Sequence, residues 1–303
     1  MTRRKQSLWT ATMACGLAAG LMVWGCGEKK EPAQRVTYVP PRSLDRNLNP
    51  TELDSLIQMK LSYKVTRDEY WDGHGGVLAN DAIEVWYPTG RVNAFQGISV
   101  LKQMELARRN TEKLFGRAPS ARLTVVCSGD LEVFRAATGR DWWNYSLVKG
   151  DTLNLQSPMD LFTRGLLMIA APHEYYEWAI GNLSNHRAPR WLEEGLASLL
   201  ANEAAVLESQ TSEFGEQGTT MSFHDMEKTL HGETDRISSR RAYYNAYRMV
   251  EKLVLTRGQP TVLAFVLDCG EEKDLDAASR RAFGTGYDAI IEEARSWAAV
   301  AAQ

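Results

Sequence analysis

Leu166, Ile169, His173, Tyr176 and Ile180 recur at spacings of three and four, the signature of one helix face, and that face is apolar apart from His173. Glu177 follows one turn after His173 on nearly the same face. No other feature constrains the fold as strongly. An imidazole and a carboxylate set into an apolar stripe must find partners, because an unpaired buried charge is costly. A metal ion would satisfy both, and so would a plain His–Glu pair or an Arg from elsewhere in the chain. Spacing alone does not choose among them.

Thirteen residues separate Glu177 from Trp191-Leu192-Glu193-Glu194-Gly195-Leu196-Ala197. Pro189 or Arg190 opens this second helix, and Gly195 lets it approach a neighbouring helix closely. By itself the string reads equally as an acidic surface helix. A third segment, Ala242-Tyr243-Tyr244-Asn245-Ala246-Tyr247-Arg248-Met249-Val250, sits in a helix that ends near Arg257-Gly258. Its tyrosines also read as an aromatic stripe in a core. Upstream, Ile83-Glu84-Val85-Trp86-Tyr87-Pro88 alternates like a strand, a helix ends at Phe115-Gly116, and Leu123-Thr124-Val125-Val126 reads as a central strand.

In this order and spacing the segments resemble the gluzincin clan of metallopeptidases, and within it the peptidase MA-like domains, over roughly residues 80–300. The resemblance implies an α+β, zincin-like fold: an N-terminal mixed sheet with helices, then a mostly helical C-terminal half. It implies a zinc site in which His173, Glu177 and Glu194 are ligands, Glu193 is a variable neighbour and Glu174 is the general base. It also offers Tyr243 or Tyr247, in preference to Tyr244, as the group that steadies the oxyanion. The chain departs from the pattern at Pro172, Glu177, Asn245 and Ala246. Glu177 replaces the second His of H-E-x-x-H, while Asn245 and Ala246 stand where the third motif has Gln and Ser.

The exchange at Glu177 adds a second carboxylate to the implied ligand set. The metal's net positive charge falls, bound water becomes less acidic, and the preference shifts toward harder ions such as manganese or iron. Pro172, directly before His173, lacks an amide donor, so the helix is expected either to start there or to bend there. His186, in the loop between the two motif helices, is a conceivable substitute ligand, whereas His74, His224 and His231 have no recognisable context. Two readings follow: an active metallopeptidase acting on peptides or proteins, or a catalytically impaired pseudopeptidase that keeps the cleft as a binding or scaffold module.

Elsewhere the pattern predicts strands over 60–72, 82–87 and 152–155, and helices over 97–115, 131–137, 159–181, 189–204, 220–230, 239–257, 259–268, 273–283 and 286–300. Strands first and helices later indicate α+β. The N-terminus differs in kind. Arg3-Arg4-Lys5 precedes the mostly apolar stretch from Leu8 to Trp24, the layout of a secretory signal over residues 1–26. Its end, Leu21-Met22-Val23-Trp24-Gly25-Cys26, resembles a bacterial lipobox, which implies a lipidated Cys26, a cell-envelope location facing the periplasm, and the outer membrane because Gly27 is not Asp. Residues 27–50 are polar and carry Pro32, Pro40, Pro41 and Pro50, the composition of a flexible tether to a domain over 51–303.

The net charge of −3 supplies no basic footprint for nucleic acid. No apolar run in the body of the chain is long enough to span a membrane. Cys127 and Cys269 could pair in an oxidising compartment or remain buried thiols.

Overall fold

The computed structural model describes residues 64–68, 75–88, 91–232 and 235–298. Met1–Asn49 and Pro50–Gln303 form separate units. The signal, tether and lipidation expectations lie outside the described residues, as does His74 of the second unit.

The described part is α+β, as the strand-then-helix order predicts. Six strands form one sheet: β1 (Lys64–Asp68), β2 (Gly75–Ala79), β3 (Ile83–Pro88), β4 (Leu123–Cys127), β5 (Ser146–Lys149) and β6 (Thr152–Leu155). Their spatial order is β1-β2-β3-β4-β6-β5. The sheet is mixed. β3, β4 and β6 run parallel, whereas β1–β2, β2–β3 and β5–β6 are antiparallel. Parallel neighbours need crossovers, and two helices provide them: α1 (Arg91–Phe115) between β3 and β4, and α2 (Leu131–Thr138) between β4 and the β5–β6 hairpin.

Period-two alternation puts Ile83, Val85 and Tyr87 of β3 in the core, together with Leu123, Val125 and Cys127 of β4. Val100, Leu101 and Met104 of α1 join the same core, with each of these three side chains fully buried. Fully burying an aliphatic side chain of this size is worth about 1.5–3 kcal/mol.

After β6 the chain is helical: α3 (Pro158–Thr163), α4 (Leu167–Leu183), α5 (Arg190–Leu200), α6 (Ala204–Gln210), a 3-10 segment (Thr211–Gln217), α7 (Phe223–His231), α8 (Arg236–Arg257), α9 (Gln259–Glu271), α10 (Leu275–Phe283) and α11 (Tyr287–Arg295). The helix predicted over 159–181 is two helices. Gly165, at φ 71°, turns the chain into the left-handed region and separates α3 from α4. The helix predicted over 189–204 likewise divides, into α5 and α6, at Asn202 (φ 56°). Pro172 neither starts nor ends its helix; α4 begins at Leu167 and runs through it. Two strands escaped the sequence pattern, β2 and β5. Cys127 and Cys269 are buried free thiols. Among the described residues, no helix is long and apolar enough to cross a membrane.

α4 packs on α1 and on α5, and α5 packs on α8. Those three contacts, α1–α4, α4–α5 and α5–α8, bring the motif segments together.

Candidate active site

Gly195 makes the α5–α8 contact possible. A Cβ there would stand 2.3 Å from the Ala246 carbonyl oxygen and 2.7 Å from Val250 Cγ2. Trp191 anchors the same helix: it is fully buried, and its Nε1 donates to the Tyr287 hydroxyl at 2.9 Å. Pro189 has no side chain to cap α5. Instead the Glu227 carboxylate accepts from the Trp191 amide at 3.2 Å, covering one of the exposed donors of the first turn.

These anchors turn Glu194 toward His173 of α4. His173 Nε2 lies 3.3 Å from Glu194 Oε2, and Nδ1 lies 2.9 Å from Glu203 Oε2, out of line for a hydrogen bond. Ser198 Oγ donates to the same Glu203 oxygen at 2.9 Å. His173, Glu174 and Glu177 each offer a ligand atom within 4.8 Å of the others. His173 Nδ1, Glu174 Oε2 and Glu194 Oε2 are all buried without a hydrogen-bond partner. Unsatisfied buried groups are rare in folded proteins, although His173 Nδ1 and Glu194 Oε2 each lie within ion-pair distance of an oppositely charged group.

The cluster also contains an arginine. Arg190 Nη1 reaches Glu177 Oε1 at 2.7 Å and Glu193 Oε2 at 3.2 Å, while Nη2 reaches Glu194 Oε1 at 2.7 Å. Thus the third partner that spacing left open, an Arg from elsewhere, is present beside Glu177. Both ionic groups flanking Glu194 shape its charge. Burial pushes its carboxyl up, but Arg190 and His173 outweigh burial and hold it below the ordinary range. Burial opposes the charge on His173, yet Glu203 and Glu194 raise its pKa well above the usual value. Arg190 is held charged in the same way by Glu177, Glu194 and Glu193 against the cost of burial. Glu174 behaves differently: burial and the neighbouring Glu177 push its carboxyl up to about 8. Burial also takes Glu193 up to about 7, despite Arg190.

The cluster forms the floor of a cavity of about 400 Å³. One wall is β5, the outermost strand of the sheet, with Tyr145 just ahead of it. Tyr243 of α8 also lines the cavity; burial and then Glu194 keep its hydroxyl protonated, well above the usual tyrosine range.

The two implied oxyanion groups therefore part company. Tyr243 lines the cavity, whereas the Tyr247 hydroxyl donates to Glu251 Oε1 at 2.9 Å and does not line it. Four residues advance a helix by about 6 Å, enough to carry Tyr247 past the end of the cavity. His186 lines the cavity, but its ring packs over Gly181 and is outside the three-residue ligand cluster. His231 also lines the cavity, paired with Glu227 at 3.5 Å, and His224 is exposed.

Two residues of the site were not legible in the sequence. Arg190 had a signal, its spacing of three and four from Glu193 and Glu194 on one helix face. Glu203 had none, because the left-handed turn at Asn202 aims it.

No family profile matches the chain, and neither does any curated protein. Among solved structures, a mutant of the M1 zinc metallopeptidase from Deinococcus radiodurans is similar at 16% identity and a TM-score of 0.39. The match covers 78% of this chain and 51% of that one, so the chain spans about half the length of that protein.

Proposed function

We propose that this protein is a metal-dependent peptide hydrolase of zincin-like architecture, held in a cell envelope through a lipidated Cys26. The observation that carries the reading is the pair of donors His173 Nε2 and Glu194 Oε2. They stand 3.3 Å apart and the oxygen has no hydrogen-bond partner. Zinc bound tetrahedrally to N and O ligands at about 2.0–2.1 Å separates two such donors by roughly 3.3–3.4 Å. The chemistry of the donors suits a divalent cation, while the group whose ligand atoms lie within 4.8 Å of one another joins Glu174, not Glu194, to His173 and Glu177. His173 and Glu194 would hold the ion, with Glu177 as third ligand; the added carboxylate keeps manganese and iron within the chemistry of the set.

A divalent ion there supplies a Lewis acid for the scissile carbonyl and lowers the pKa of water. The chain's own residues do the rest. Glu203 stands 2.9 Å from Nδ1, where a small turn of the His173 ring would bring it into the carboxylate–histidine arrangement that makes imidazole a better ligand. Glu174 exchanges protons near neutral pH, as a carboxyl pushed up to about 8 can, and so serves as general base and then acid. The Tyr243 O–H, kept protonated by burial, donates to the oxygen on which negative charge develops. β5 presents the open edge of the sheet along the cavity, and an extended peptide can add to such an edge by backbone hydrogen bonds.

One observation favours the second reading, a metal-free binding module. Arg190 already compensates Glu177 and Glu194. Elemental analysis of the full chain, purified in detergent without chelator, separates the two readings. Near-stoichiometric metal that is lost in Glu177→Ala, together with cleavage in a peptide library lost in Glu174→Gln, supports the hydrolase. No metal in either protein after zinc is supplied refutes it and leaves the binding module.

A further inference from the structure

We infer that Arg190 is a built-in competitor for the metal: its guanidinium occupies the carboxylates of the ligand set and has to release them before a divalent cation can bind. This inference rests on the metal-site reading above and concerns how that site is loaded.

Arg190 forks across two helices. Nη1 holds Glu177 of α4 and Nη2 holds Glu194 of α5, each at 2.7 Å. A guanidinium offers donors in a rigid plane, and two carboxylates gripped by separate nitrogens are held more tightly than an ammonium could hold them. Glu177 is also the residue that departs from the H-E-x-x-H pattern. A neutral imidazole at that position would give Arg190 no charge to bind, so Glu177 and Arg190 act as a matched pair. The consequence falls on Glu177 above all. His173 Nε2 and Glu194 Oε2 already stand at the separation a metal requires, and that Glu194 oxygen is the one Arg190 leaves alone. Glu177 is turned onto the guanidinium instead.

The arginine has somewhere to go. Its side chain is 27% exposed, against 12% for Glu177 and 3% for Glu194, and it lines the cavity, so open space lies beside it. Glu193, one turn along the same helix and 3.2 Å away, keeps a partner for it when Glu177 and Glu194 are given up. Loading is therefore an exchange of one cation for another within a preformed anionic cluster. The apparent metal affinity is lower than the donor set alone would give.

The test compares zinc affinity, by competition with a chromophoric chelator, in the full-length protein and in its Arg190→Gln and Arg190→Lys variants, all in detergent. Arg190→Gln is expected to bind zinc tighter by about tenfold or more, with Arg190→Lys between, since each tenfold corresponds to about 1.4 kcal/mol and a buried, forked ion pair exceeds that. Thermal melts supply a second readout. Without metal Arg190→Gln melts below the wild type, and saturating zinc raises its melting temperature by more than it raises the wild type's. If all three bind zinc and neither variant binds it tighter, Arg190 does not compete and the inference falls while the metal site stands. If none binds zinc, although circular dichroism reports native helix content, the metal site falls and the inference with it. If Arg190→Gln does not fold without metal, Arg190→Lys decides: affinity equal to the wild type overturns the inference.

Discussion

Replacing Gly195 by Ala tests the α5–α8 contact on which the site depends. The new Cβ would meet the Ala246 carbonyl oxygen at 2.3 Å, its carbon at 2.6 Å and Val250 Cγ2 at 2.7 Å. Ordinary van der Waals contact begins near 3.4 Å, so the helices must part by about 1 Å, and a backbone carbonyl cannot swing aside as a side-chain tip can. Overpacking of this kind costs roughly 1–3 kcal/mol, and the backbone obstacle puts it at the upper end. Ala recovers at most about 1 kcal/mol through its better helix propensity. The net loss is then about 2 kcal/mol, or roughly 4–8 °C in melting temperature for a domain of this size. Differential scanning calorimetry measures it. Gly129→Ala is the control: its Cβ meets nothing closer than Pro88 Cγ at 3.5 Å. Gly195→Ala melting within a degree of the wild type, or Gly129→Ala melting equally low, would refute the reasoning.

Trp191→Phe removes the donor to the Tyr287 hydroxyl and opens space in a fully buried position; a loss of about 2–3 kcal/mol is expected in urea unfolding. Combined with Tyr287→Phe it should cost less than the sum of the singles, because the two residues share one hydrogen bond. Burial pushes both Cys127 and Cys269 up to about 12, so at pH 8 they are almost wholly protonated; N-ethylmaleimide followed by peptide mass mapping should leave both unmodified in the native protein and label both in urea. Burial raises the Glu105 carboxyl, but Arg108 and Arg109 outweigh it and hold the pKa below the ordinary value. A folded pKa below the unfolded one adds stability above the unfolded value, about 4.3, and loses it as pH falls through the folded value. The stability gap between wild type and Glu105→Gln should therefore be constant near neutrality and close below about pH 4. A gap that widens in acid would contradict that sign.

Helix periodicity made α4, α5 and α8 legible, and in α4 the shared face of His173 and Glu177; the roles of Glu174, Glu194 and Tyr243 came from the resemblance and not from periodicity. Whether Glu177 would meet a metal, a histidine or an arginine was not legible. That depends on which helix approaches α4, a tertiary fact that spacing within α4 does not contain. β2 escaped because Gly75-Gly76-Val77-Leu78-Ala79 shows no alternation; its neighbours β1 and β3 make it a strand by pairing with it on both sides. β5 has four residues, and the hairpin to β6 holds it in place rather than any apolar face of its own.

Pro172 sits inside α4 one residue before His173 and carries no amide hydrogen. The Met168 carbonyl, which such a hydrogen would have served, therefore lacks its rung in the helical ladder. The first turn of α4 is tied to the rest of the helix by one hydrogen bond fewer than an uninterrupted helix would give it. In a hydrogen-exchange experiment, the amides ahead of the proline should open and trade deuterium independently of those from Tyr176 to Leu183. The imidazole of His173 is thus expected to stand at the step in protection that such an experiment reads, between a segment opening alone and one opening with the whole domain.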